Sequence, residues 1–292
     1  MPYEKYHKEL KRIFTEETNG LIGDDDLEQF THFIHNNWAT ENIKLYRYSP
    51  ANFYNIRNFE TGKLRLTENG NLNDIYEGLP VDLYEQLDAR TVKMLGDLAY
   101  IKCFSETNDN TLMWSHYADQ HKGFCVEYDL SELEADADVI NHIFPIFYST
   151  TRYLDTDIAE MVRELKELNY DIENNNFPSY SPHLEDMTAL FLHKSKEWEY
   201  EKEWRIVYTN LQIQESDDSV LSNYIVPFEC ATGVYLGYRI DAEIKDNILE
   251  IVDRINIKNK HTHRTRIKVF QTQLDARTYD LRFKEINTKG RK

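Results

Sequence analysis

Three segments of this 292-residue chain combine charge with the alternation of a β-strand, and together they could bind and cleave a charged substrate. Leu45-Tyr46-Arg47-Tyr48 places Arg47 on the same strand face as Ile43 and Leu45. A guanidinium on an apolar face needs a partner, either an internal carboxylate or a bound anion. Cys103-Phe104-Ser105-Glu106 ends a second strand and runs into a polar turn at 107–110. The third segment is Trp198-Glu199-Tyr200-Glu201-Lys202-Glu203-Trp204-Arg205. Read as a strand, it projects Glu201, Glu203 and Arg205 from one face and Trp204, Ile206 and Tyr208 from the other. Neighbouring carboxylates repel each other, so they require a reason to be adjacent. A catalytic pair is one reason, and a salt-bridge ladder with Lys202 and Arg205 is the other.

The elements that must position these groups follow from periodicity. Tyr3, Tyr6, Leu10, Ile13 and Phe14, then Leu27, Phe30, Phe33 and Ile34, recur at helical spacing. Short β-forming runs follow at 43–48, 99–105, 123–128, 204–209 and 234–238. Helical periodicity returns at 158–168, 184–191 and 244–255, and two strands close the chain at 267–274 and 278–284. Strands spread this unevenly do not describe a doubly wound sheet. The expectation is an α+β fold: a helical N-terminal extension over 1–40 and a single α+β domain over 41–292.

With 34 Lys+Arg against 51 Asp+Glu the net charge is −17, which argues against bulk attraction to nucleic acid or an anionic membrane. The segment 254–268 reverses that sign with six Lys/Arg and no acid, either to meet an anionic partner or to offset the chain's own acidity. Three dispersed cysteines suit neither a disulfide framework nor a zinc site. His32 and His35 lie one helical turn apart but lack a third ligand nearby, so no metal is expected. Glycine-rich nucleotide motifs are absent, as are H-E-x-x-H and G-x-S-x-G. The charged N-terminus has no apolar signal core, and no apolar run is long enough to cross a bilayer. A cytoplasmic protein with no membrane partner is expected.

The strings LYRY, LNDIYE, CFSE, MWSHYADQHKGFCVEY and WEYEKEWRIV, in this order over about residues 43 to 240, resemble the bacterial family called domain of unknown function 2971. A second resemblance carries an activity. Arginine, then serine at a strand end, then Glu-x-Glu is similar to the R-S-E pattern of ADP-ribosyltransferases. That resemblance implies a split β-sandwich flanked by helices, NAD as substrate, and a macromolecular acceptor of unknown kind, protein or nucleic acid. It assigns Arg47 to NAD phosphate or ribose, Ser105 to the nicotinamide-side ribose, Glu203 to catalysis and Glu201 to the acceptor. Tyr46 is a candidate for stacking on a ring of the dinucleotide. A toxin or phage-defence setting is plausible from the company such transferases keep. Where the family's pattern has Ser-Thr-Ser, this chain has Cys103-Phe104-Ser105.

Two other readings stand beside the transferase. One is a metal-dependent nuclease or hydrolase using Asp74, Glu77, Glu201 and Glu203, although Glu-Lys-Glu departs from the Asp/Glu-x-Lys of many nucleases. The other is a non-catalytic binding module in which the charged strands form an ion-pair lattice.

Overall fold

β-Branched and aromatic residues between short turns give thirteen strands among the described residues. The computed structural model describes residues 3–15, 24–74, 76, 99–134, 137–151, 188, 191–209 and 224–287. The strands are β1 (Lys44–Ser49), β2 (Lys63–Arg65), β3 (Thr67–Glu68), β4 (Ala99–Ser105), β5 (Phe124–Asp129), β6 (Ile143–Pro145) and β7 (Phe147–Ser149). They continue as β8 (His193–Ser195), β9 (Glu203–Thr209), β10 (Ile225–Pro227), β11 (Ala231–Leu236), β12 (Lys268–Leu274) and β13 (Leu281–Ile286). The α-helices among the described residues are α1 (Glu4–Thr15), α2 (Asp24–Glu41), α3 (Phe53–Thr61), α4 (Thr111–Tyr117) and α5 (Ala242–Thr262). The fold is α+β, and no sheet closes into a barrel among the described residues.

Nine strands form one sheet in the order β13-β12-β11-β5-β1-β4-β9-β6, with β3 also on β4. Neighbours run antiparallel except β11 and β12, which α5 joins by a crossover. Two small sheets pair β2 with β10 and β7 with β8. β1 zips to β5 along its whole length, from Lys44↔Asp129 to Ser49↔Phe124, and β4 zips to β9 from Ala99↔Thr209 to Ser105↔Glu203. Between these halves β1 and β4 share a single rung, Tyr46↔Ser105. β3 takes the same edge of β4 only at Tyr100 and Ile101, so residues 102–104 have no strand partner on that side among the described residues. The sheet therefore splits in its middle.

Period-two alternation distributes the core over both faces. On one face Leu45, Phe124, Val126, Val234 and Leu236 join the main core, and Tyr48, Cys125 and Tyr235 join a second cluster with Met113 and Trp114 of α4 on the other. α1 and α2 bury Tyr6, Leu10, Ile13, Phe30, Ile34 and Trp38 in the main core. The Tyr6 and Trp204 rings meet edge-on at 5.5 Å, so residues 3–15 cover the strand that carries Glu203. α5 is anchored by Asp241, whose side chain accepts from the Glu243 and Ile244 amides.

One sequence expectation changes. Glu201 does not lie in a strand: it ends a 3-10 turn, Lys196–Glu201, and Lys202 follows in the left-handed region at φ 44° before β9 starts at Glu203. The basic segment spends much of its charge internally, through Arg254–Glu60 at 2.6 Å, Lys258–Glu229 at 3.2 Å and Arg264–Glu134 at 3.4 Å. The helices expected over 158–168 and 184–191 fall outside the described residues apart from 188 and 191, as does Glu77.

Candidate functional site

A cavity of about 360 Å³ occupies the place of the missing rungs. Arg47 and Tyr48 face it from β1 and Lys102, Cys103 and Phe104 from β4, while Lys194, Glu201 and Glu203 close one side. α4 supplies His116 and Tyr117. Asn110 positions that helix: its side-chain oxygen caps the Leu112 and Met113 amides, and its amide nitrogen donates to the Tyr200 carbonyl at 2.8 Å. Tyr117 is thereby held against the turn that ends in Glu201. After the helix, Gly123 lets the chain close on β1, since a Cβ there would stand 2.1 Å from the Ser49 carbonyl oxygen.

One wall is acidic and paired. Arg205 is fully buried and grips Glu203 bidentately, Nε to Oε1 at 2.7 Å and Nη2 to Oε2 at 2.9 Å. Lys194 bridges the two carboxylates, at 2.9 Å from Glu203 and 2.6 Å from Glu201. The Tyr117 hydroxyl donates to the other oxygen of Glu201. Burial alone would raise the Glu203 carboxyl, but Arg205 and Lys194 outweigh it and hold Glu203 well below the usual carboxylate range. For Glu201 burial wins. Lys194 pulls against it, the Glu203 charge adds to it, and the carboxyl sits above its ordinary value. Two neighbouring carboxyls are thus driven apart in acidity.

Arg47 and Lys102 line the cavity from the face of the sheet opposite to Glu203. Arg47 donates to the Cys103 carbonyl at 3.2 Å, and no carboxylate among the described residues pairs with it. Lys102 is 7% exposed and likewise meets no acid among the described residues. Burial and the charges of Arg47 and Arg65 push its amine well below the ordinary lysine value.

The remaining sequence-predicted residues lie around this centre. Tyr46 lines the cavity, and its hydroxyl donates to Glu127 at 3.3 Å. Ser105 sits on the single rung between the half-sheets, completely buried, and donates to the Glu201 carbonyl at 2.6 Å. Its hydroxyl fixes the backbone of a cavity residue and is not on the cavity surface. Arg47, Tyr46, Glu201 and Glu203 therefore share one cleft. Asp74 is buried but does not line it, and no cluster of three acidic, histidine or cysteine side chains suited to a metal ion occurs among the described residues. His121 stacks on Trp114 at 6.2 Å, in keeping with a packing role, whereas His116 faces the cavity.

The α4-to-β9 stretch is also where a known pattern lies. Residues 113–206 match the family model described as protein of unknown function, DUF2971. The DUF2971 match contains Tyr117, Lys194, Glu201, Glu203 and Arg205, the whole acidic wall, whereas Arg47 and Lys102 precede it. It includes MWSHYADQHKGFCVEY and all but the last residue of WEYEKEWRIV, and LYRY, LNDIYE and CFSE lie before it. No curated protein and no solved structure matches the chain. No helix among the described residues is long and apolar enough to cross a membrane.

Lys102 and Lys194 were missed in the sequence. A signal for Lys102 existed: it is the one charge within Ala-Tyr-Ile-Lys-Cys-Phe-Ser, an otherwise uncharged strand. Lys194 had none, because its role comes from the pairing of β8 with β7.

Proposed function

We propose that the cleft binds NAD and that the chain is an ADP-ribosyltransferase or NAD glycohydrolase. The observation that carries this reading is that Arg47 and the Glu201–Glu203 pair line one cavity in the split between β1 and β4. Arg47 serves the diphosphate, for which a guanidinium offers bidentate geometry. Breaking the C1′–N bond leaves its electron pair on nicotinamide and builds positive charge on the ribose, much as glycoside hydrolysis does. Glu203, held ionised by Arg205 and Lys194, supplies fixed negative charge toward that sugar. Glu201, whose carboxyl is raised, takes the proton from the attacking water or acceptor group as the new bond to C1′ forms. Tyr46 and Phe104 offer ring faces along the cavity.

Incubation with NAD tests the reading directly. Nicotinamide release or labelling of an acceptor is expected from the native chain, with a loss of about a hundredfold or more in Glu203→Gln. Absence of both, with no shift in melting temperature on adding NAD, overturns it. The complete engagement of Glu203 by Arg205 and Lys194 favours a second reading, a non-catalytic module for a phosphate-bearing ligand. That reading gives a melting shift with NAD and no nicotinamide.

A further inference from the structure

We propose that Lys102 joins Arg47 in a subsite for a doubly charged phosphate group, a terminal phosphate or a diphosphate, and that its ammonium is completed by the ligand. The proposal deepens the NAD reading and rests on it for the identity of the ligand. Its chemistry stands on the charge balance of the cleft. The cavity walls and their support hold Arg47, Lys102, Lys194 and Arg205 against Glu201 and Glu203. Glu201 and Glu203 are matched by Lys194 and Arg205 through hydrogen bonds of 2.6 to 2.9 Å. Among the described residues Arg47 and Lys102 are left over, in a chain of net charge −17. A buried cation without a partner is costly, and the described residues around these two offer no carboxylate to offset it.

The surroundings of the two groups are consistent. Facing Arg47 are Tyr128 and Cys125 of β5 and Cys103 of β4, phenol and thiols rather than carboxylates. Facing Lys102 are Arg47 of β1, Arg65 of β2 and Cys103 on its own strand. Lys194 and the paired glutamates line the same cavity. Lys102 reaches this place because residues 102–104 have no strand partner on that edge of β4 among the described residues, so an incoming anion meets the strand without displacing a rung. With no anion bound, Lys102 holds its proton weakly. A phosphate dianion raises its affinity for that proton, so binding is coupled to proton uptake.

Calorimetric titration of the full chain with sodium pyrophosphate, in two buffers of different ionisation heat at slightly alkaline pH, tests this. The native chain is expected to bind with buffer-dependent heat. Lys102→Met is expected to weaken binding about tenfold or more and to remove the buffer dependence. Lys102→Arg, permanently charged, restores affinity without proton uptake. In the absence of ligand Lys102→Met raises the melting temperature, because a buried amine without an acidic partner has gone. Inorganic phosphate and ADP, titrated in parallel, separate a monophosphate subsite from a diphosphate one. Pyrophosphate affinity within twofold of native in Lys102→Met overturns the proposal, as does a lowered melting temperature, which would mean that an acid of the chain already pairs the lysine. Pyrophosphate binding without any NAD cleavage refutes the transferase reading alone.

Discussion

Glu127 and Glu201 have the same kinds of neighbour: each is buried, and each accepts hydrogen bonds from a lysine and a tyrosine. Their acidities move in opposite directions. Glu127 has Lys44 at 2.7 Å, Thr232 and Tyr235 at 2.8 Å and Tyr46 at 3.3 Å, and Lys44 bonds to no second carboxylate among the described residues. Burial raises its carboxyl, but those donors together bring it below the ordinary value. Glu201 has two fewer hydroxyl donors, shares Lys194 with Glu203, and faces that second negative charge. The same residue types therefore make an anchored anion in one half-sheet and a proton-accepting group in the other. What separates them is the number of donors each carboxylate has and the number of carboxylates each cation must serve.

The sharpest way to break the contrast is to remove the cation that the cleft does not share. Arg205→Met leaves Glu203 with Lys194 alone, and the expected loss is about 3–5 kcal/mol of unfolding free energy by denaturant titration. A loss below about 1 kcal/mol would mean that Arg205 adds little to the acidic wall. Next in size is Glu127→Gln, which strips charge from four donors and should cost about 1–3 kcal/mol while leaving pyrophosphate binding unchanged. Glu201→Gln should behave in the opposite manner. It removes a carboxylate that burial disfavours, so unfolding free energy should change by less than about 1 kcal/mol. Nicotinamide release should nevertheless fall by about a hundredfold, the range of a lost general base. Equal stability losses in the two glutamine variants would erase the distinction.

The smallest effect is in pH. Glu127 has a folded-state pKa below its unfolded value, so its contribution is present above the ordinary glutamate range, about pH 4.3, and is lost as pH falls through the folded value. Glu201 has the reverse shift. Its contribution is complete below about pH 4.3 and is lost as pH rises through the folded value. Glu201→Gln should therefore gain on the native chain as pH rises toward neutrality, and Glu127→Gln should lose on it as pH rises over the acid range. Parallel denaturation series at several pH values measure both slopes.

Much of the fold was legible because it is periodic. The runs at 43–48, 99–105 and 204–209 appear as β1, β4 and β9 within a residue at each end, and the 244–255 stripe lies inside α5. Arg47 was legible because one guanidinium breaks an apolar alternation. The site was less legible where chain-distant groups combine. Glu201 and Glu203 do come together, but through Lys194 and a 3-10 turn, not through the shared face of a strand. No period reports a left-handed residue such as Lys202, and none reports which strand edges lie side by side. Lys102 escaped for that second reason. Its importance arises only when β1 and β3 leave its stretch of β4 open.

That opening has a mechanical consequence. In most sheets, widening a gap between strands breaks a row of backbone hydrogen bonds that act together. Here the two half-sheets are riveted at Tyr46↔Ser105, and just beyond the rivet the Arg47 side chain reaches across to the Cys103 carbonyl. The seam is therefore compliant next to the cavity and stiff on both flanks, where β5 and β9 carry complete ladders. On the proposed NAD reading, a ligand longer than the cavity would be admitted by spreading the sheet itself, with Arg47 exchanging the Cys103 carbonyl for a phosphate.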